Sequence, residues 1–170
     1  MRKIQDVIGL PILDVSSGKK VGIVKDIFFN KTGELKGLVV EKGGFFNKNY
    51  YLPFEDIGSM GDDAVTIGTE RVLTDFHQNK RYYSFNTGKN SYKELPVMTT
   101  NGHELGHIKD VYFMEEVGKI IGYEISDGFL TDITEGRRTI QIPKKMTIGE
   151  DALVIPQNEV QDIIFEKDQF

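Results

Sequence analysis

Gly18-Lys19-Lys20-Val21-Gly22-Ile23-Val24-Lys25-Asp26-Ile27-Phe28-Phe29 returns as Gly102-His103-Glu104-Leu105-Gly106-His107-Ile108-Lys109-Asp110-Val111-Tyr112-Phe113, at a constant offset of 84. Both glycines, the Lys-Asp pair and the apolar positions after it are kept. The chain of 170 residues is therefore two copies of one unit, each of a size whose own core is modest, so packing between the copies would help. The spacing predicts domains at 1–78 and 91–170, joined by a polar, tyrosine-bearing linker at 79–90.

The composition is that of strands. Alanine occurs only at Ala64 and Ala152, glycine supplies 18 residues, and Val, Ile, Phe and Tyr dominate the apolar set. Gly18 and Gly102 follow short polar runs and mark tight turns. Gly22 and Gly106 interrupt strands, which implies a bulge, a sharp bend or the close approach of another backbone. The next strand of each copy also carries a glycine, Gly37 and Gly122, and the returning strand ends in proline, Pro53 and Pro143. Ile8 to Leu13 reads as the first strand, and one or two helical turns are expected after each copy, around Val72 to Phe76 and Val160 to Ile164.

Taken together, a Leu-Pro-apolar strand, Gly-x-x-apolar-Gly-x-apolar-Lys-Asp, a glycine-bearing strand, a strand ending in proline and a Gly-acid-Asp-Ala hairpin resemble the PRC-barrel domain, twice over roughly 5–67 and 91–155. The resemblance implies an all-β chain of two tandem small PRC-type β-barrels with short helical turns after each. It is similar to the tandem PRC-barrel proteins of Gram-positive bacteria. More distant likenesses are to the C-terminal domain of ribosome maturation factors and to the photosynthetic reaction-centre H subunit. The family implies protein binding without catalysis, and by analogy with the maturation factors an RNA-linked role is the alternative.

Charge and composition narrow the classes further. A net charge of −5 without a basic excess in either half argues against direct nucleic-acid binding. The absence of cysteine excludes disulfides and thiolate chemistry. No apolar run is long enough for a signal peptide or a membrane helix, so the expected location is the cytoplasm, without membrane insertion.

His103-Glu104-Leu105-Gly106-His107 spells a zinc-peptidase string, but that chemistry needs both histidines on one helical turn. On a strand they stand about 13 Å apart, and the other copy has Lys19 and Ile23 there. Lys25-Asp26 and Lys109-Asp110 are better read as carboxylates holding backbone N–H groups at an irregularity than as acid and base, since adjacent strand residues face opposite ways. Asp62-Asp63 and Glu150-Asp151 are too few oxygens for calcium and read as turn residues. No catalytic, metal or cofactor site is expected. Phe45, Phe46, Tyr82, Tyr83, Arg137 and Arg138 form the expected partner surface, the partner being an unidentified protein, and edge strands leave a homodimer open.

Overall fold

The computed structural model describes residues 1–43, 48–77, 81–127 and 138–160, with the backbone alone at 164–165. The first copy contains β1 (Arg2–Lys3), α1 (Ile4–Val7), β2 (Pro11–Asp14), β3 (Lys19–Phe29), β4 (Leu35–Lys42), β5 (Lys48–Pro53), β6 (Ile57–Met60), β7 (Val65–Ile67) and β8 (Thr74–Asp75). The second contains β9 (Tyr83–Ser84), β10 (Pro96–Thr99), β11 (Glu104–Met114), β12 (Lys119–Ser126), β13 (Arg138–Gln141), β14 (Thr147–Ile148), β15 (Leu153–Ile155) and β16 (Ile164–Phe165).

The two sheets have the same order, β6-β7-β2-β3-β4-β5-β8 and β14-β15-β10-β11-β12-β13-β16. Each contains one parallel pair, β2 with β7 and β10 with β15, that curls the meander back on itself. The paired motif glycines do what their repetition implied. The register slips opposite Val21 and opposite Leu105, so Gly22 and Gly106 sit at bulges. They are also points of close approach, since a Cβ on Gly22 would lie 2.7 Å from the Glu41 carbonyl oxygen.

The second slip in each long strand falls on the Lys-Asp pair. Lys25 is squeezed out between Val24 and Asp26, and Lys109 between Ile108 and Asp110. The bulge places both lysines outward, where Lys25 pairs with Glu41 and Lys109 with both oxygens of Glu94 at 2.8 Å. It turns both aspartates inward, and each is almost fully buried. An extra residue in one strand reorients its neighbours, which is why an apolar-polar alternation cannot be read through this stretch.

One reading needs correction. The strand expected at Ile8 to Leu13 is β2 at Pro11–Asp14, because Ile4–Val7 forms a helical turn and Gly9, at φ +90°, bends the chain before it. A short helical turn follows each copy, at Glu70–Val72, after which the chain enters β8, and at Gln157–Glu159 with Val160 also helical; residues 161–163 of the second expected turn lie outside the described residues. Within the 79–90 linker, Tyr83, Ser84 and Phe85 are buried, and β9 pairs with β3.

That pairing has a counterpart. The segment leading into the second copy, β9, lies antiparallel on β3 of the first, with Phe29 opposite Tyr83 and Phe28 opposite Ser84. The segment leading into the first copy, β1, lies antiparallel on β11 of the second, with Phe113 opposite Arg2 and Tyr112 opposite Lys3. Each barrel thus completes the other. At the middle of the molecule Leu35 N donates to Gly118 O at 2.7 Å and Ile120 N to Gly33 O at 2.8 Å, the same bond made twice across a local two-fold. Phe29 and Phe113, equivalent in the repeat, meet edge to face with ring centroids 6.0 Å apart. Tyr92 packs on Phe29, Tyr83 and Tyr123 in the same layer, so among the described residues one core runs through both copies.

Candidate functional site

Two places bring the sequence-derived residues together: the junction built on the buried aspartates, and a half-exposed aromatic surface on the first barrel. Asp26 sits at the junction with no exposed surface. It accepts from Ile27 N at 2.8 Å, as expected of a carboxylate at a bulge. It also accepts from Phe85 N (3.0 Å), Asn86 N (3.1 Å), Thr87 N (2.7 Å) and Thr87 Oγ1 (2.6 Å), which the sequence did not announce. One side chain thereby folds the entry of the second copy onto the first.

Asp110 does the reciprocal work with fewer bonds. Its Oδ1 accepts from Val111 N at 2.8 Å and from Gln5 N at 3.3 Å, while Gln5 Nε2 donates to Lys109 O at 2.8 Å. Beside it, Glu124 is buried, pairs with Lys3 and accepts from the Tyr112 hydroxyl at 3.1 Å. Burial, helped by the Glu124 charge, pushes the Asp110 carboxyl up to about 6, against the opposing pull of its two N–H donors and of Lys3. Burial lowers and Glu124 raises the Lys3 ammonium, and the net direction is up.

The sign of the pH effect follows. In the folded state Asp110 holds its proton to about pH 6, while in the unfolded chain it releases it near 3.8, so its contribution is full below about pH 4 and is lost as pH rises through 6. Asp110→Asn keeps an oxygen for both N–H donors and removes one of two neighbouring carboxylates. It is expected to raise stability at pH 7.5 by about 1–2 kcal/mol, reduced from the full value of the shift by solvent screening, and to flatten the pH dependence between 4 and 6.5. Urea unfolding across that range checks both.

The lead-in segments also tie down their own barrels. Arg2 donates to Met60 O and Gly61 O, both at 2.7 Å, and Tyr83, at the equivalent place, donates its hydroxyl to Ile148 O at 3.3 Å. Removing residues 1–7 exposes the β11 edge and strips Glu124 of Lys3. The expected cost is at least 3 kcal/mol, read as a fall in thermal midpoint of 10 °C or more.

Of the expected partner surface, Phe45, Phe46 and Arg137 lie outside the described residues. Arg138 is half-buried, donates to Leu105 O at 2.9 Å and pairs with Asp127, so it serves the β11 bulge. Tyr83 is only 4% exposed, because the β3 pairing turns it into the core, and it is withdrawn from that surface. Tyr82, its neighbour, points the other way. Together with Phe28, Tyr51 and Phe76 it forms an aromatic cluster: Phe28 stacks on Phe76 at 5.7 Å and leans on Tyr82 at 6.2 Å and Tyr51 at 6.5 Å. Tyr51 donates to Lys36 O, and burial pushes its phenol up to about 12. An open groove of about 510 Å³ adjoins Tyr82, walled by Asn30, Lys31, Thr32, Lys36 and Arg81.

The histidine string lies on an extended segment. His107 is within β11, His103 precedes it, and His107 Nδ1 stands 3.3 Å from Glu104. Among the described residues no three His, Cys, Asp or Glu side chains gather as metal ligands. Asp62 reaches toward Arg2 at 3.6 Å and Glu150 toward Lys89 at 2.8 Å, both from exposed turns. No helix among the described residues is long and apolar enough to cross a membrane.

Compared with known proteins, the model of the PRC-barrel domain matches residues 1–77 and again 88–162. The chain belongs to the PRC-barrel family. Its two family units coincide with the two sheets, and the lead-in segments that cross between them fall at the start of the first match and just before the second. A relative in Bacillus subtilis (strain 168), Uncharacterized protein YrrD, is 28% identical over 144 residues, covering 83% of this chain and 79% of its own. The tandem arrangement and all-β architecture expected of the PRC-barrel resemblance are therefore borne out.

Proposed function

We propose that this PRC-barrel chain is a non-catalytic, cytoplasmic adaptor that binds another protein through the first barrel. The observation that carries the reading is the division of labour among its side chains. The buried charges Asp26, Asp110 and Glu124 are engaged in joining the two copies. Tyr82 stays half-exposed at an open groove, with half-exposed Phe76 beyond it on the other side of Phe28, and aromatic residues are enriched at protein interfaces. A two-barrel body with one shared core holds such a surface with little ordering cost on binding.

Affinity capture from lysate with tagged full-length protein, read by mass spectrometry before and after ribonuclease, tests it. A stoichiometric protein partner that survives ribonuclease is the expected result. Ribosomal or RNA-processing proteins that vanish with ribonuclease would favour the RNA-linked reading, for which Lys31, Lys36 and Arg81 along the groove are the observation in support.

A further inference from the structure

The two barrels are built alike around the local two-fold, so a difference between equivalent positions reports something the fold does not require. The β3–β4 hairpin carries Asn30 and Lys31 where the β11–β12 hairpin carries Glu115 and Glu116, and Lys36 of β4 corresponds to Ile121 of β12. The hairpins make the same central backbone bonds, so the lysines are not needed for the turn. Lys31 is exposed, and with Lys36 and Arg81 it lines the groove beside Tyr82.

We infer that this groove docks an acidic, extended segment of a partner protein, with an apolar side chain of that segment set against Tyr82. The inference rests on the adaptor reading and names its partner chemistry. The groove's volume of about 510 Å³ suits a few residues of peptide. Tyr82 offers a large contact face with few rotamers to freeze, and it is braced from behind by Phe28. Lys31, Lys36 and Arg81 line the groove, and Glu34 pairs with Lys36 at 3.1 Å, leaving exposed Lys31 at its rim. The chain as a whole is acidic, at a net −5. A long polyanion such as RNA would lie across that repelling surface, whereas a short acidic segment meets only the basic groove, so the charge pattern favours the peptide.

The test is fluorescence anisotropy with a labelled 12-residue peptide of glutamates and one central phenylalanine, against the same peptide with lysines and a 12-nucleotide single-stranded RNA. The acidic peptide is expected to bind the full chain with salt-sensitive affinity. Binding should weaken tenfold or more in Lys31→Glu, Arg81→Glu and Tyr82→Ala, with Lys144→Glu, remote on the second barrel, without effect. Thermal midpoints close to the parent's establish that the variants are folded.

Absence of binding, binding indifferent to the three groove variants, or tighter binding of the RNA each overturns the inference. The lysate capture separates this from the adaptor reading. A ribonuclease-resistant partner retained by the Lys31→Glu, Arg81→Glu double variant sinks the groove and leaves the adaptor; no such partner with the parent chain sinks the adaptor itself.

Discussion

Replacing Asp26 with alanine is expected to destabilise the protein by about 4–5 kcal/mol, a large share of the 5–15 kcal/mol that holds an ordinary domain folded. The carboxylate is fully buried and receives five donors: Ile27 N, Phe85 N, Asn86 N, Thr87 N and Thr87 Oγ1. Truncation leaves several of them without an acceptor, at about 1–3 kcal/mol for each that stays dry, partly recovered where Asn86 and Thr87 reach water. Asp26→Asn is the informative companion. It keeps one oxygen but turns an NH₂ toward donors, because both Asp26 oxygens accept, so it should cost about 2–3 kcal/mol. The equivalent change at Asp110 is expected to stabilise at neutral pH, since among the described residues its N–H donors both reach Oδ1 and a second carboxylate lies beside it. Opposite signs for one substitution at two repeat-related positions, measured by urea unfolding at pH 7.5, would be hard to obtain from any account that treats the copies as interchangeable.

Gly106→Ala has the next largest expected effect, about 3–4 kcal/mol. The residue sits at φ +131°, where a side chain is strained in any surroundings, and an added Cβ would lie 2.5 Å from Ser126 O and 2.9 Å from the carboxylate of Asp127. The Ser126 carbonyl belongs to the β11–β12 ladder, which cannot withdraw without breaking the His107–Ser126 pairing. Asp127 also holds Arg138, so the disturbance reaches β13. Thermal unfolding followed by circular dichroism reads the loss. Gly102→Ala is the control: φ is +82° but the space around it is open, so strain alone, about 1 kcal/mol, is expected.

These two residues also mark how far the sequence could be read. The constant spacing of Gly18, Gly22, Lys25 and Asp26 with Gly102, Gly106, Lys109 and Asp110 is a local signal, and it led to the two units, their irregularities and the aspartates as acceptors of backbone N–H bonds. What Asp26 grips is not local. Its partners lie about 60 residues away in a stretch whose asparagines, threonine and glycine look like any solvent-exposed connection. The aromatic residues there were the available clue: Tyr83, Phe85 and Tyr92 are all buried, too many for a polar linker. Arg2 and Lys3 gave less, since basic residues near a chain start are ordinary, and nothing in their pattern tells that they line a strand of the other copy. At the surface the same limit applied to Tyr82 and Tyr83. Alternation says that one faces in and the other out, but which of them does so depends on the pairing of β9 with β3.

The two repeats exchange lead-in segments and fold as one unit. Native-state amide hydrogen exchange, resolved by residue, tests it most directly. With the lead-ins crossed and Phe29, Tyr92, Phe113 and Tyr123 sharing one core, the slowest amides of β3 and β4 should open with the same free energy as those of β11 and β12. Asp26→Asn should lower both by the same amount. If the β11–β12 amides instead opened several kcal/mol below those of β3–β4, or if Asp26→Asn loosened one barrel and left the other untouched, the barrels would be independent beads and the account would be wrong.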